Sequence, residues 1–165
     1  MSYKRSLLMI GGGVAVLILL LAVFVAVAAK KVHIVDLRPA IAVGDMYFTA
    51  MKEQAGQKAF ELYSREFRER QGDDWKDFLV KMPKSFGSIT KYSITQGAVV
   101  PVSNRGCYGL RYSVERTKVS SEEKFIVCPT DDTSWAIVGH ELTRTDTGQT
   151  VSAGIMNREA GVHVP

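Results

Sequence analysis

The sequence predicts an α+β domain, with about three helices packed on one face of a curved four-stranded antiparallel sheet, following a single N-terminal transmembrane helix. Three observations predict it. Leu7 to Ala29 run without a charged side chain between Lys4-Arg5 and Lys30-Lys31. From Pro39 to Pro83 apolar residues recur at helical spacing, and from Gly87 the period changes to two. Helices followed by a run of strands is the α+β pattern, in which the helices share one side of the sheet.

The uncharged run of 23 residues makes a helix of roughly 34 Å, enough to cross a ~30 Å hydrocarbon core. A cleaved secretory signal competes with this reading, because Ala26-Val27-Ala28 supplies a small-x-small site behind a basic leader. The run exceeds the roughly 7–15 residues of a signal core, which favours a retained anchor over residues 6–29. Basic residues flank both ends, so charge alone leaves the orientation open. The short leader, residues 1–5, favours an N-in arrangement in a bacterial inner membrane, with the C-terminal domain in the periplasm. Gly11, Gly12 and Gly13 offer a surface for close helix packing; a glycine-tolerant, lipid-facing helix is the alternative.

Residues 30–39 read as a linker, 40–146 as the folded domain and 147–165 as an irregular tail. The 136 residues from Lys30 onward carry a formal charge of +2, against +4 for the whole chain. No Lys/Arg run is long enough to argue for nucleic acid. The expected partners are therefore the lipid bilayer and an integral membrane complex or homo-oligomer.

In the first helix Pro39 suits the first turn, and Ala40, Val43, Tyr47, Ala50 and Met51 lie on one face. Gln54 to Gln57 break it. A second helix is expected from about Lys58, burying Ala59, Phe60, Leu62, Tyr63 and Phe67. Gly72-Asp73-Asp74 can cap a third helix carrying Trp75, Phe78, Leu79 and Met82, which Pro83 ends. The strands follow at Ile89–Thr95, along Tyr108, Leu110, Tyr112 and Val114, at Phe125 and Val127, and from Ser134 to Arg144. Val119 to Glu123 and Pro129 to Thr133 read as polar connectors. Phe60, Phe78, Tyr112 and Trp135 are the expected core anchors.

Tyr47-Phe48-Thr49-Ala50-Met51, Gly56-Gln57 and Ala59-Phe60-Glu61-Leu62-Tyr63-Ser64 resemble the helix, turn, helix opening of the nuclear transport factor 2-like superfamily, also termed cystatin-like or ketosteroid isomerase-like. Trp135-Ala136-Ile137-Val138-Gly139-His140 is similar to its closing strand, and within the superfamily the chain resembles the small membrane-anchored bacterial envelope domains. The resemblance implies a cone between helices and sheet. That superfamily holds enzymes, binding modules and scaffolds, so the fold does not choose a function.

A ketosteroid isomerase-like site needs a buried acid facing an apolar pocket, with a hydroxyl or carboxyl donor for an enolate oxygen. The candidate acids Asp45, Glu53, Asp73, Asp74, Asp77 and Glu115 fall on helix surfaces, caps or a polar strand face. Tyr108 and Tyr112 alternate with Leu110 and Val114, which assigns them to packing. His33, His140 and His163 are separated by linker, strand and tail, so each reads as a solvated or structurally bonded histidine rather than a metal ligand, and Asp131-Asp132 reads as a turn. No catalytic residue, metal or cofactor is expected. Cys107 and Cys128 have the parity opposite to the core residues of their strands, so both thiols point to the non-core side. A disulfide and two separate half-buried thiols both remain open.

The functional expectation is a non-catalytic membrane-anchored accessory, assembly or scaffold subunit that docks through its open sheet face. A binding module for a small hydrophobe comes second and a ketosteroid isomerase-like enzyme third. The tail is expected to gain order from a partner or by docking on its own domain.

Overall fold

The computed structural model describes residues 36–102, 105–130 and 134–155. The expected span at 6–29, with Gly11, Gly12 and Gly13, lies outside the described residues, as do His33 and His163. Among the described residues no helix is long and apolar enough to cross a membrane; where a transmembrane helix and a four-stranded domain are expected, the described fold is an α+β domain alone.

The first helix, α1, spans Arg38–Lys52 with Pro39 in its first turn and Ala40, Val43, Tyr47, Phe48, Ala50 and Met51 buried. Pro39 fits there because the N–H it lacks is one the first turn leaves unpaired in any case. Gln54, at φ 57°, ends the run. The single second helix expected from Lys58 past Phe67 is two helices, α2 at Gly56–Glu61 and α3 at Arg65–Phe86. Leu62 and Tyr63 leave the helix because the sheet takes their backbone. Ile137 N donates to Leu62 O at 3.0 Å, and Ser64 N donates to Ile137 O at 2.8 Å. Ser64 then caps α3, its Oγ accepting from Phe67 N at 3.1 Å. The expected boundary at Gly72 is a kink inside α3, with φ 57° and ψ −148°. Pro83 does not end the helix. It sits in the last turn, where it removes one backbone bond, and its carbonyl still accepts from Gly87 N at 3.0 Å. Gly87, at φ 86°, ends the helix instead.

The sheet has five strands, where the sequence reading has four. They are β1 Ile89–Val102, β2 Arg105–Arg116, β3 Ser121–Pro129, β4 Trp135–Arg144 and β5 Thr150–Gly154, neighbours in chain order and all antiparallel. The extra strand comes from the segment read as an irregular tail, and Ala153 on it is buried in the core. Register shifts in β1 and at Val138 on β4 add local twist, which bends the sheet around the helices.

On the helix side, Leu110, Tyr112 and Val114 of β2, Phe125 and Val127 of β3, and Ile137 and Leu142 of β4 meet α1 and α3. Tyr47 packs edge-on against Phe125 at 4.9 Å and against Phe48 at 5.2 Å. Of the expected anchors, Phe60 and Tyr112 are buried, whereas Phe78 and Trp135 are half-buried at the margin. Trp135 opens β4 at the end of the sheet and stacks on Tyr108 at 5.2 Å. Phe78 lies at the rim between Trp75 and Phe86. The fully buried aromatic centre is Tyr47, Phe48, Tyr63, Tyr112 and Phe125.

On the other side of the sheet Cys107 and Cys128 form a disulfide, with their Cα atoms 4.3 Å apart. The β2–β3 register that pairs Tyr108 with Val127 brings the two cysteines opposite one another. Parity places them on the face away from the helices, where Val100, Val102 and Ile126 surround them. The bond closes a sequence separation of 21 residues, and a loop of that size is worth about 3 kcal/mol in the chain-entropy account. Replacing both cysteines by Ala should lower the unfolding free energy by about that amount, read from urea denaturation.

Candidate functional site

The densest polar cluster described is inside the core, at the junction of β2, β3, β4 and the α2–α3 connection. Glu123 shares the inward parity of Phe125 and Val127, so its carboxylate points under the helices rather than into a loop. Arg116, the last residue of β2, reaches it with a guanidinium that also donates to Ser121 Oγ. The two side chains are 1% and 0% exposed. His140 on β4 completes the line. Its Nε2 lies 3.2 Å from Glu123 Oε2 and its Nδ1 lies 2.7 Å from the Tyr63 hydroxyl. A neutral imidazole with its proton on Nε2 matches both neighbours: it donates to Glu123 and accepts from Tyr63.

Aromatic rings close the cluster on its other sides. Phe125, Tyr47 and Trp75 lie 4.4, 5.4 and 5.5 Å from the His140 ring. The Arg116 guanidinium lies 5.8 Å from the Phe86 ring, and its Nη2 is 3.5 Å from Met82 Sδ. Burial alone would raise the Glu123 carboxyl, but the charge of Arg116 and the hydrogen bond from His140 outweigh it and hold it down to about 2. Burial pushes the Tyr63 and Tyr47 hydroxyls up. Tyr47 Oη and Trp75 Nε1 are buried without a partner in hydrogen-bond geometry, although both stand close enough to the Tyr63 hydroxyl to affect its ionisation.

Glu123 therefore ionises more readily folded than unfolded, where its ordinary value is 4.5. Its contribution is fully present above about 4.5 and is lost as the pH falls towards about 2. Urea denaturation at a series of pH values should show stability falling through that window, and Glu123→Gln, which has no carboxyl to protonate, should lose this part of the slope.

A carboxylate, an imidazole and a phenol in line have the form of an acid–base relay. Here the relay has no substrate face, because each of its three side chains is 0–1% exposed. What it does is tie β2, β3 and β4 to the α2–α3 connection through charge-assisted bonds.

The sequence-predicted acids are elsewhere. Asp45, Glu53, Asp73, Asp74, Asp77 and Glu115 are all exposed and do not converge on the cluster. Asp45 and Glu53 do line a shallow surface depression of about 370 Å³ with Met46, Thr49, Lys58 and Leu62, where α1 meets α2. Tyr108 is half-buried against Trp135, and Asp131-Asp132 lies outside the described residues. Among the described residues no group of three or more His, Cys, Asp or Glu side chains is placed to hold a metal ion. His140, read from sequence as solvated or structurally bonded, is structurally bonded. Glu123 escapes the sequence reading because Val119 to Glu123 reads as a polar connector, and Arg116 because the second strand is read only as far as Val114. The signal that finds Glu123 is the two-residue period extended backwards from Val127 and Phe125, through Glu123, to Ser121.

The outer face of the sheet divides in two. Its apolar half is the disulfide cluster, and its other half carries cross-strand ion pairs: Lys91 with Glu115 at 3.8 Å, Arg111 with Glu122 at 3.5 Å and Lys124 with Glu141 at 2.9 Å. A charged lattice of this kind suits the rim of an interface better than its centre. Compared with known proteins, the chain matches no protein-family model and no curated protein.

Proposed function

We propose that this chain is a non-catalytic accessory, assembly or scaffold subunit of an inner-membrane protein complex, built on a domain of the nuclear transport factor 2-like kind and working through protein–protein contacts. The observation that carries this reading is the filling of the space between helices and sheet. Tyr47, Phe48, Tyr63, Tyr112 and Phe125 occupy it together with Leu79 and Met82, each at most 1% exposed. The acid–base groups within it are spent on one another. A binding module for a small hydrophobe would need that volume open, and an enzyme would need Glu123 or His140 to face it.

Two further observations support the proposed location. The uncharged run Leu7–Ala29 is long enough for a membrane tether, and the Cys107–Cys128 disulfide suits an oxidising compartment such as the periplasm. For contacts, the outer strand β1 presents Ile94 and Val99, 41% and 45% exposed, and α1 presents Met46 at 51%. Extraction of native membranes with a mild detergent, followed by affinity purification through this chain, tests the proposal. The expected result is co-elution with defined integral membrane proteins in fixed stoichiometry. Elution of the chain alone, or with a bound small hydrophobe in equimolar amount, would overturn it.

A further inference from the structure

The outer strand β1 has β2 as its neighbour among the described residues, and it is built unlike the strands inside the sheet. From Tyr92 to Val102 it carries no charged side chain, whereas β2, β3 and β4 each carry acidic and basic ones. Charge is one of the usual protections of a sheet edge, and this stretch lacks it. Ser93 to Gly97 are exposed in succession, so both faces of the strand are open there. Ile94 and Val99 have the parity of the residues they oppose, Tyr112 and Tyr108 on the helix side, yet the helices leave them well exposed. The direction of the backbone groups follows from the disulfide pair. Cys107 and Cys128 have Cα atoms 4.3 Å apart, the spacing of a non-hydrogen-bonded pair, which is about 4.5 Å against about 5.5 Å for a bonded one. Cys107 therefore turns its N–H and C=O towards β1, where it opposes Val100. Alternate residues of β1 turn theirs away from β2, namely Val99 and Gly97. Pro101, next in that series, fits because it has no N–H to give. Among the described residues neither Gly97 nor Val99 has a backbone partner on the outward side. On the other flank the stretch ends at the bulge of Thr95, whose hydroxyl donates to Arg111 O at 3.2 Å.

We infer that β1 pairs antiparallel with β1 of a second copy of this chain, about a two-fold axis through Ala98. In that register Gly97 of each copy faces Val99 of the other, and each such pair exchanges both of its outward N–H···O bonds. Ala98 meets Ala98 at the axis as the closely spaced non-bonded pair, where a small side chain fits. Val99 lies over the bare backbone of the partner's Gly97, beside Leu37, whose Cδ1 comes within 2.8 Å of where a Cβ of Gly97 would stand. The nearest charges, Lys91 and Arg105, lie outside the stretch, so no like charges meet near the axis. The segment is thus complementary to itself, with the larger residue opposite the smaller one on both sides of the axis. An isologous contact requires that property, and it is why the occupant is a second copy. This contact extends the scaffold reading without depending on it: it stands even where no other protein co-elutes.

The test uses the full chain with a diazirine-bearing residue in place of Val99, prepared as separate 14N and 15N pools that are mixed, irradiated and mapped by mass spectrometry. Cross-links joining a 14N to a 15N chain, at Gly97 and Leu37, are expected. Ala98→Asp in both pools should cut their yield at least about ten-fold, because like charges then face each other at the axis, and Ala98→Lys in both pools should do the same. Mixing an Ala98→Asp pool with an Ala98→Lys pool should restore them, a rescue that requires residue 98 of one copy to meet residue 98 of the other. Ala98→Ser should keep the parent yield. Cross-links confined to single chains, or falling on residues 1–35, residues 156–165 or another protein, would overturn the inference. So would a yield that Ala98→Asp leaves unchanged, or a mixed pool without rescue.

Discussion

Arg116→Met is expected to destabilise the domain by about 3–5 kcal/mol, because it leaves the ionised Glu123 buried and unpaired. The Glu123 side chain is 0% exposed, so water does not replace the lost guanidinium. The remaining donors, Ser121 Oγ at 3.1 Å and His140 Nε2 at 3.2 Å, bring no fixed positive charge. The companion variant Arg116→Met/Glu123→Leu removes both charges and fills their space with apolar atoms, and it should recover most of the loss, as buried ion pairs replaced by packed hydrophobes do. Urea denaturation of the three chains, with m-values compared, is the measurement. A double variant as unstable as the single one would mean that the cluster's remaining hydrogen bonds, rather than its charge balance, hold the strands together.

Ending the chain after Asp146 should cost a similar amount, roughly 3–5 kcal/mol from lost apolar burial and backbone pairing. The deletion removes β5, which pairs from Thr143 and Thr150 to Gly139 and Gly154. It takes Ala153 out of the core and uncovers the Phe67 ring that lies against Gly154. It also turns β4, the strand that carries His140, into an edge. Ending the chain after Ile155 instead keeps β5 intact, so the difference between the two truncations isolates the strand. Equal thermal stability of the Asp146-terminated chain and the parent would place β5 outside the cooperative unit.

The periodicities in the sequence carried much of the architecture, and the failures have physical causes. Ala40, Val43, Tyr47, Ala50 and Met51 face inward as their spacing requires, and Leu110, Tyr112 and Val114 alternate as read. Parity arithmetic placed both cysteines on the non-core side without knowledge of the turn between their strands. Glu123 escapes a local reading because the composition of Val119 to Glu123 is that of a loop, whereas an inward carboxylate becomes acceptable once Arg116, seven residues before it, folds back across the β2–β3 turn to pair with it. A local window contains both residues, but the strand parity that turns both inward depends on the β2–β3 pairing. β5 was missed because Thr150–Gly154 is short and ends in glycine, and its strand state comes from the free edge of β4 rather than from propensity. Trp135, expected as a core anchor from its size and from the closing-strand resemblance, sits at the start of β4, half-buried against Tyr108 at the margin of the core. The buried cluster of Glu123, His140, Tyr63 and Arg116 joins residues from four elements, which is why no motif announces it.

The sealed core is the central claim, and the imidazole proton of His140 reports on it directly. In a 15N-labelled chain, the Nε2–H that donates to Glu123 Oε2 should give a proton resonance whose exchange with solvent occurs only through global unfolding. Its protection free energy should then equal the unfolding free energy from urea denaturation. Exchange orders of magnitude faster than global unfolding would show water reaching the Glu123–His140–Tyr63 line in the folded state, and would contradict a filled core.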